Sequence, residues 1–300
     1  MLKKLNQELR HGSLQLLLFF SVWLLPQRWH FRVFKAIAHL HPWLLNVEPS
    51  VNALIQYKPT LADARKSLGL GFAFHQIIDQ ADYYLTRRFS ARWLDDNCEI
   101  TGQLPKKPEA GSPAPLFLTP HYGQGFWAIR FLNECCGFRL AWLYLPPAKR
   151  FKLGNILQSW TNKRRLTQIE RLCSSLAIPT GGSIAAMQEK LIHQGISVLA
   201  MPDAPPQPRQ SKISVMLMGQ SAFFPAGVFS LAEREKIPVY LYSILFDRQS
   251  GKRQMVVKGP FTGLNKETLA QHFANLLDDA ISHDPCAWHL WPYMDVFLLE

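Results

Sequence analysis

Apolar positions change their spacing along this chain. Leu14 to Leu25 is almost wholly apolar and stops at Pro26, and Trp29 to Leu45 reads as an amphipathic segment. Across residues 60–95, Leu61, Leu68, Phe72, His75 and Ile78 recur at roughly helical spacing. Residues 103–115 hold four prolines and Gly111, and read as a loop. Beyond that loop, short apolar runs alternate with helix-length segments. The runs predict strands over Leu116–Thr119, Leu140–Leu145, Leu176–Ile178, Ser197–Met201, Val215–Met218, Val239–Phe246 and Met255–Lys258. The segments between them predict helices over Gly125–Glu134, Lys152–Asn162, Ile184–His193, Ala226–Glu235 and Lys266–Ile281. The pattern is that of an α/β fold: a mixed, mostly parallel sheet flanked by helices, behind a helical, membrane-associated N-terminal region. It divides the chain into a helical anchor at residues 1–45 and an α/β domain at 46–300.

The N-terminal apolar stretch is short for a membrane span. Twelve helical residues rise about 18 Å, against a hydrocarbon core about 30 Å thick. Lys3, Lys4 and Arg10 precede the stretch, and Arg28, Arg32 and Lys35 follow it. Basic flanks on both sides suit a helix lying in the interface near anionic headgroups. The other reading is a buried helix of the protein core.

Composition narrows the partners. The chain has 300 residues and a formal net charge of +11, so it attracts anionic partners: nucleic acid, anionic lipid, a phosphorylated glycolipid or an acidic protein. No zinc-finger, RNA-recognition or basic-zipper pattern occurs, and nucleic acid is not expected. Nine Trp and nineteen Phe suit surfaces that are apolar on one side and wet on the other. Cys98, Cys135, Cys136, Cys173 and Cys286 are odd in number and contain no C-x-x-C pair, so reduced thiols are expected and structural zinc is not.

Four stretches could carry chemistry. The first is Thr119-Pro120-His121-Tyr122-Gly123-Gln124, at a strand-to-helix junction. An imidazole there stands where an α/β sheet opens its binding crevice, close to the N–H groups of a helix start, and can act as a general base near pH 7. The second is Met201-Pro202-Asp203, where Asp203 falls at the carboxyl end of a strand. It either orients His121, binds a polar substrate group, or caps a loop. The third is a basic block holding Lys149, Arg150, Lys152, Lys163, Arg164, Arg165 and Arg171 against Glu170 alone. Such a run is a solvated face or a binding surface for phosphate or an acidic protein. The fourth runs from Met218 to Gly227 and reads as a turn into a helix whose N–H groups could hold an anion.

In this order, the four stretches resemble the lipid A late acyltransferases, bacterial inner-membrane enzymes of the lysophospholipid acyltransferase superfamily. The resemblance covers nearly the whole chain. Residues 119–124 resemble that family's histidine motif, Tyr144 to Arg165 its arginine-bearing helix, and Gly195 to Asp203 its aspartate-ended strand. Met218 to Ala232 is similar to its phenylalanine-glycine turn and helix, and Pro285 to Trp291 to its tryptophan ending. The resemblance implies transfer of an acyl group from an acyl carrier protein to a hydroxyl of a phosphorylated glycolipid. The place would be the cytoplasmic face of the inner membrane. It implies His121 as base with Asp203 in support, and Tyr122, Gln124, Lys149, Arg150, Arg164 and Arg165 as substrate or carrier contacts. It implies neither metal nor cofactor.

The chain departs from the family pattern at one position. Five residues after the histidine the family carries an acid; here that residue is Phe126. Three readings follow. Asp203 supplies the carboxylate, or the donor is a smaller, more activated one such as the glycyl thioester used by a divergent relative, or the protein only binds lipid or carrier. A soluble α/β enzyme of unrelated chemistry is the remaining alternative.

Overall fold

The computed structural model describes residues 2–106, 111–123, 125–146, 156–205 and 210–298. The chain begins with helices: α1 (Leu2–Leu24), α2 (Gln27–His39), α3 (His41–Leu44), α4 (Glu48–Tyr57), α5 (Arg65–Arg88) and α6 (Trp93–Asn97). The α/β part follows as β1 (Cys98–Gly102), β2 (Leu116–Leu118), α7 (Phe126–Arg130), β3 (Leu140–Tyr144), α8 (Ile156–Cys173), β4 (Ile178–Pro179), α9 (Ser183–Gln188) and β5 (Ser197–Ala200). Then come β6 (Lys212–Leu217), β7 (Gln220–Pro225), α10 (Gly227–Arg234), β8 (Val239–Phe246), β9 (Arg253–Phe261), α11 (Lys266–His283) and α12 (Met294–Phe297).

Seven strands form the main sheet in the order β1-β9-β8-β2-β5-β3-β4. Every pair is parallel except β8 with β9. The central strands β2 and β5 are buried at every position, as a sheet covered on both faces requires. Their side chains alternate between two cores. Leu116, Leu118, Val198 and Ala200 pack with α4, α10 and α11 on one face. Phe117 and Leu199 pack with α1, α2, α5 and α7 on the other. The period of two that marked these runs as strands is thus the period that splits the molecule into layers.

Helix α1 belongs to that second layer. Leu14, Leu18 and Val22 recur every four residues, face inward and are fully buried in the core that also holds Phe117, Trp127 and Tyr242. Residues 1–45 therefore share a core with the sheet. The second half of the helix is also apolar on its outside: Leu16, Leu17, Phe19, Phe20, Trp23 and Leu24 are exposed. Among the described residues no helix is long and apolar enough to cross a membrane.

Several boundaries differ from the sequence expectation for physical reasons. Residues 60–95 are not one helix: a 3₁₀ segment at Pro59–Ala64 precedes α5, and the chain turns extended at Phe89 before α6. The helix expected over Gly125–Glu134 widens into a π-turn at Phe131–Cys135, and that over Ile184–His193 does the same at Glu189–His193. The strand expected at Leu176–Ile178 is Ile178–Pro179. The expected turn from Met218 to Gly227 is largely strand β7, paired antiparallel with β6. Met218 and Gly219 both have positive φ (51° and 76°) and form the tight two-residue hairpin turn between them.

Candidate active site

Parallel pairing brings His121 and Asp203 together. Strands β2 and β5 are neighbours, with Leu118 opposite Ala200. His121 and Asp203 each lie three residues beyond that pair, so both side chains emerge at the same carboxyl edge of the sheet. His121 Nδ1 lies 2.7 Å from Asp203 Oδ1. The His121 backbone N–H donates to Asp203 Oδ2 at 2.8 Å, and the Trp288 indole N–H donates to the same oxygen at 3.1 Å. A carboxylate only accepts, so Nδ1 carries the hydrogen and Nε2 keeps its lone pair. Asp203 is fully buried, while the His121 side chain is 32% exposed. The pair is therefore a held imidazole whose second nitrogen has no partner among the described residues.

A strap at residues 284–291 closes over the His121 loop. The His289 N–H donates to the His121 carbonyl (2.9 Å), and the Gly123 N–H donates to the Ala287 carbonyl (3.0 Å). His289 Nε2 donates to the Gly123 carbonyl (3.0 Å), and Tyr122 forms an antiparallel bridge with Trp288. Gly123 has φ +65°, and a Cβ there would collide with the Ile244 carbonyl oxygen, so only glycine fits this approach to β8. The Tyr122 N–H is taken by the Pro120 carbonyl. The two N–H groups after His121 are thus occupied, and α7 is a five-residue helix. The anion-stabilising helix start expected beside His121 is not formed by these groups.

The strap is fastened from below by a second imidazole–carboxylate pair. His75 Nε2 donates to Asp284 Oδ2 (2.8 Å), the Arg248 Nε pairs with the same oxygen (2.9 Å), and Asp284 Oδ1 accepts from the Cys286 N–H (3.0 Å). Burial opposes the charge on Asp284, but the His75 hydrogen bond and the His75 and Arg248 charges outweigh it and hold its pKa below the usual carboxylate value.

Phe126 stands where the resemblance expects an acid. It is buried in the α1-side core, edge-on to Tyr83, with the Arg165 guanidinium 5.0 Å above its ring. Arg165 pairs instead with Asp79 of α5 (2.8 Å). Both carboxylates of this region come from elements other than α7: Asp203 for the histidine and Asp79 for the arginine.

The other expected contacts fall out as follows. Tyr122 is buried in the core, where desolvation pushes its phenol pKa up, so it packs rather than faces a ligand. Arg164 stacks on the half-exposed Trp160 ring at 4.0 Å, away from Arg165. Gln124, Lys149 and Arg150 lie outside the described residues. At the start of α10 the Ala226 N–H is bonded to the Ser211 carbonyl, so it offers nothing to an anion. All five cysteines are free, and burial raises Cys136 to about 11 and Cys173 and Cys286 to about 12, far from the pKa of a nucleophilic thiol.

Sequence reading singled out the Pro285–Trp291 tail only as a likeness and did not foresee its contacts. A tryptophan donor to a carboxylate 85 residues away leaves no local signature. Comparison with protein-family models and with curated proteins finds no match to this chain.

Proposed function

We propose that the chain is a transferase that moves an acyl group from a carrier-protein thioester to a hydroxyl of a membrane glycolipid. The observation that carries this reading is the 2.7 Å contact between His121 Nδ1 and Asp203 Oδ1, in a side chain that is 32% exposed and whose Nε2 has no hydrogen-bond partner among the described residues. It answers the departure at Phe126, since a carboxylate reaches the imidazole from β5 instead of α7.

The step balances on these residues alone. His121 Nε2 takes the proton of the acceptor hydroxyl as its oxygen attacks the thioester carbonyl. The buried Asp203 carboxylate stabilises the imidazolium that forms. The tetrahedral intermediate collapses, the carbon–sulfur bond breaks, and the proton passes from Nε2 to the leaving thiolate. The products are an ester and the free carrier thiol. An amine-bearing glycyl thioester would follow the same course.

The surface supports work at the cytoplasmic face of an anionic inner membrane. The exposed Phe19, Phe20 and Trp23 of α1 lie on the outside of the fold, and Lys4, Arg28, Arg32 and Lys35 are exposed near them in sequence. Lys163 and Arg164 on α8 suit an acidic carrier protein or lipid phosphates.

The test is intact-mass analysis of lipid A and total phospholipid from cells with the wild-type chain and with His121→Ala. A fatty-acyl or glycyl mass increment that disappears in the variant is the expected result, and its size identifies the donor. An increment that persists in the variant removes His121 as base. No increment in either leaves a binding-only role, which rests on Phe126 alone.

A further inference from the structure

A cavity of about 800 Å³ lies between α1, α5, α8 and the chain at residues 44–46. Its wall includes His289, whose N–H donates to the His121 carbonyl and whose Nε2 donates to the Gly123 carbonyl. His289 therefore links the cavity wall to the backbone of the His121 loop. This volume is within the range of about 300–1,000 Å³ that small-molecule sites occupy.

The lining is unusual in its chemistry. Gln76 and Gln80 reach it from α5, and Gln158 and Asn162 from α8. A carboxamide both donates and accepts, and so does a hydroxyl, so a wall of carboxamides suits a ligand rich in hydroxyls. The Gln80 oxygen already accepts from Gln15, but a hydrocarbon chain would leave the carboxamides of Gln76, Gln158 and Asn162 unmatched, at a cost. A polyanion would call for a set of cations, and the described residues of the lining supply few. Its Arg165 is matched by Asp79 (2.8 Å), and burial lowers the pKa of His11, which favours the neutral imidazole. Among the described residues of the lining, Arg10 remains as the cation facing the space, enough for one anionic substituent.

Helix α1 ties this cavity to the outer apolar face. Arg10 lines the cavity, and Phe19, Phe20 and Trp23 are exposed about three turns further along the same helix. A headgroup drawn from a surface on which α1 rests has a short path to the cavity. Gln158 and Asn162 are exposed on the α8 wall, so the space is reached from outside.

We propose that this cavity is the site for a hydroxyl-rich sugar headgroup of the acceptor, held by the carboxamides with Arg10 on its anion. The assignment of that headgroup to an acceptor rests on the transferase reading above; the binding chemistry does not.

The experiment uses the full chain and measures binding apart from transfer. Saturation-transfer NMR and calorimetry are run with maltose, with N,N′-diacetylchitobiose and with pantetheine, the last as a stand-in for a carrier arm. The variants are the surface pair Gln158→Leu/Asn162→Leu and, independently, Gln76→Leu, each checked by thermal melting. The expected result is saccharide binding by the wild type and by His121→Ala, weakened about tenfold or more in a variant that melts normally. No saccharide binding, equal binding in both variants, or pantetheine binding that the variants abolish would overturn the proposal. Saccharide binding without any transfer overturns the transferase reading and leaves the cavity assignment standing. Transfer to a glycolipid at the same rate in wild type and variants overturns the cavity assignment and leaves the transferase reading standing.

Discussion

Two imidazole–carboxylate pairs meet the strap at residues 284–291, and they do different things. His121–Asp203 and His75–Asp284 have nearly the same separation, 2.7 and 2.8 Å. The difference lies in what surrounds them. The His121 side chain is 32% exposed, whereas that of His75 is 1% exposed. Asp203 takes its other donors from the His121 backbone and Trp288, groups without charge, while Asp284 takes a cation, Arg248, beside a His75 whose burial disfavours the imidazolium. The same two side chains thus make a half-exposed pair, the base of the proposed transfer, in one place and a structural rivet in the other. Pair geometry alone does not announce catalysis; access and the partners of the carboxylate decide.

The comparison can be broken most directly at His121. His121→Ala should lower transfer by about 10²–10⁴-fold with the melting temperature unchanged, measured by product mass against time. If His121 were a second rivet, melting would fall instead. Asp203→Asn keeps the shape but leaves the imidazole poorly held, and should cost on the order of 10³-fold in kcat. A loss confined to KM would mean that Asp203 binds substrate and does not orient the ring.

The rivet should respond in stability. Asp284→Ala removes the acceptor of the buried His75 N–H and should cost about 1–3 kcal/mol in denaturant unfolding, the usual result of leaving a buried donor unmatched. Activity would fall with it, because the strap holds the His121 loop. The pH dependence sharpens the point. The folded-state pKa of Asp284 is lowered, so between that value and its unfolded value the unfolded chain binds more protons and stability rises with pH. The contribution is complete above the ordinary carboxylate range and is lost as pH falls through the lowered value. Asp284→Asn should flatten this acid limb of the stability profile, and an unchanged limb would assign it to other carboxylates. The smallest effect is expected for Trp288→Phe, which removes one of three donors to Asp203. It should reduce kcat severalfold, roughly the worth of a single hydrogen bond, and leave KM nearly unchanged.

How far the sequence reveals this molecule depends on where its apolar residues fall. Strands β2, β5 and β8 are continuous apolar runs bounded by turns, and the pattern finds them. Strand β1 is Cys98-Glu99-Ile100-Thr101-Gly102, an edge strand with little to bury, and no apolar run marks it. Helix α8 continues to Cys173, beyond the Asn162 that periodicity suggests, because two of its buried positions are Thr161 and Gln168. At the site, His121 and Asp203 are legible because each follows a buried strand at the same offset. Trp288, His289 and Asp79 are not, since their partners lie far away in sequence and the sheet order that joins them is a property of the folded chain.

That long reach has a consequence for how the protein comes to life. His289 and Gly123 are 166 residues apart in sequence, yet the loop holding His121 depends on their contact. Such distant contacts close late in folding, after local helices and hairpins have formed. The histidine proposed as base is therefore synthesised early and positioned late. A chain still emerging from the ribosome, or one whose strap has sprung, carries the base without the frame that aims it.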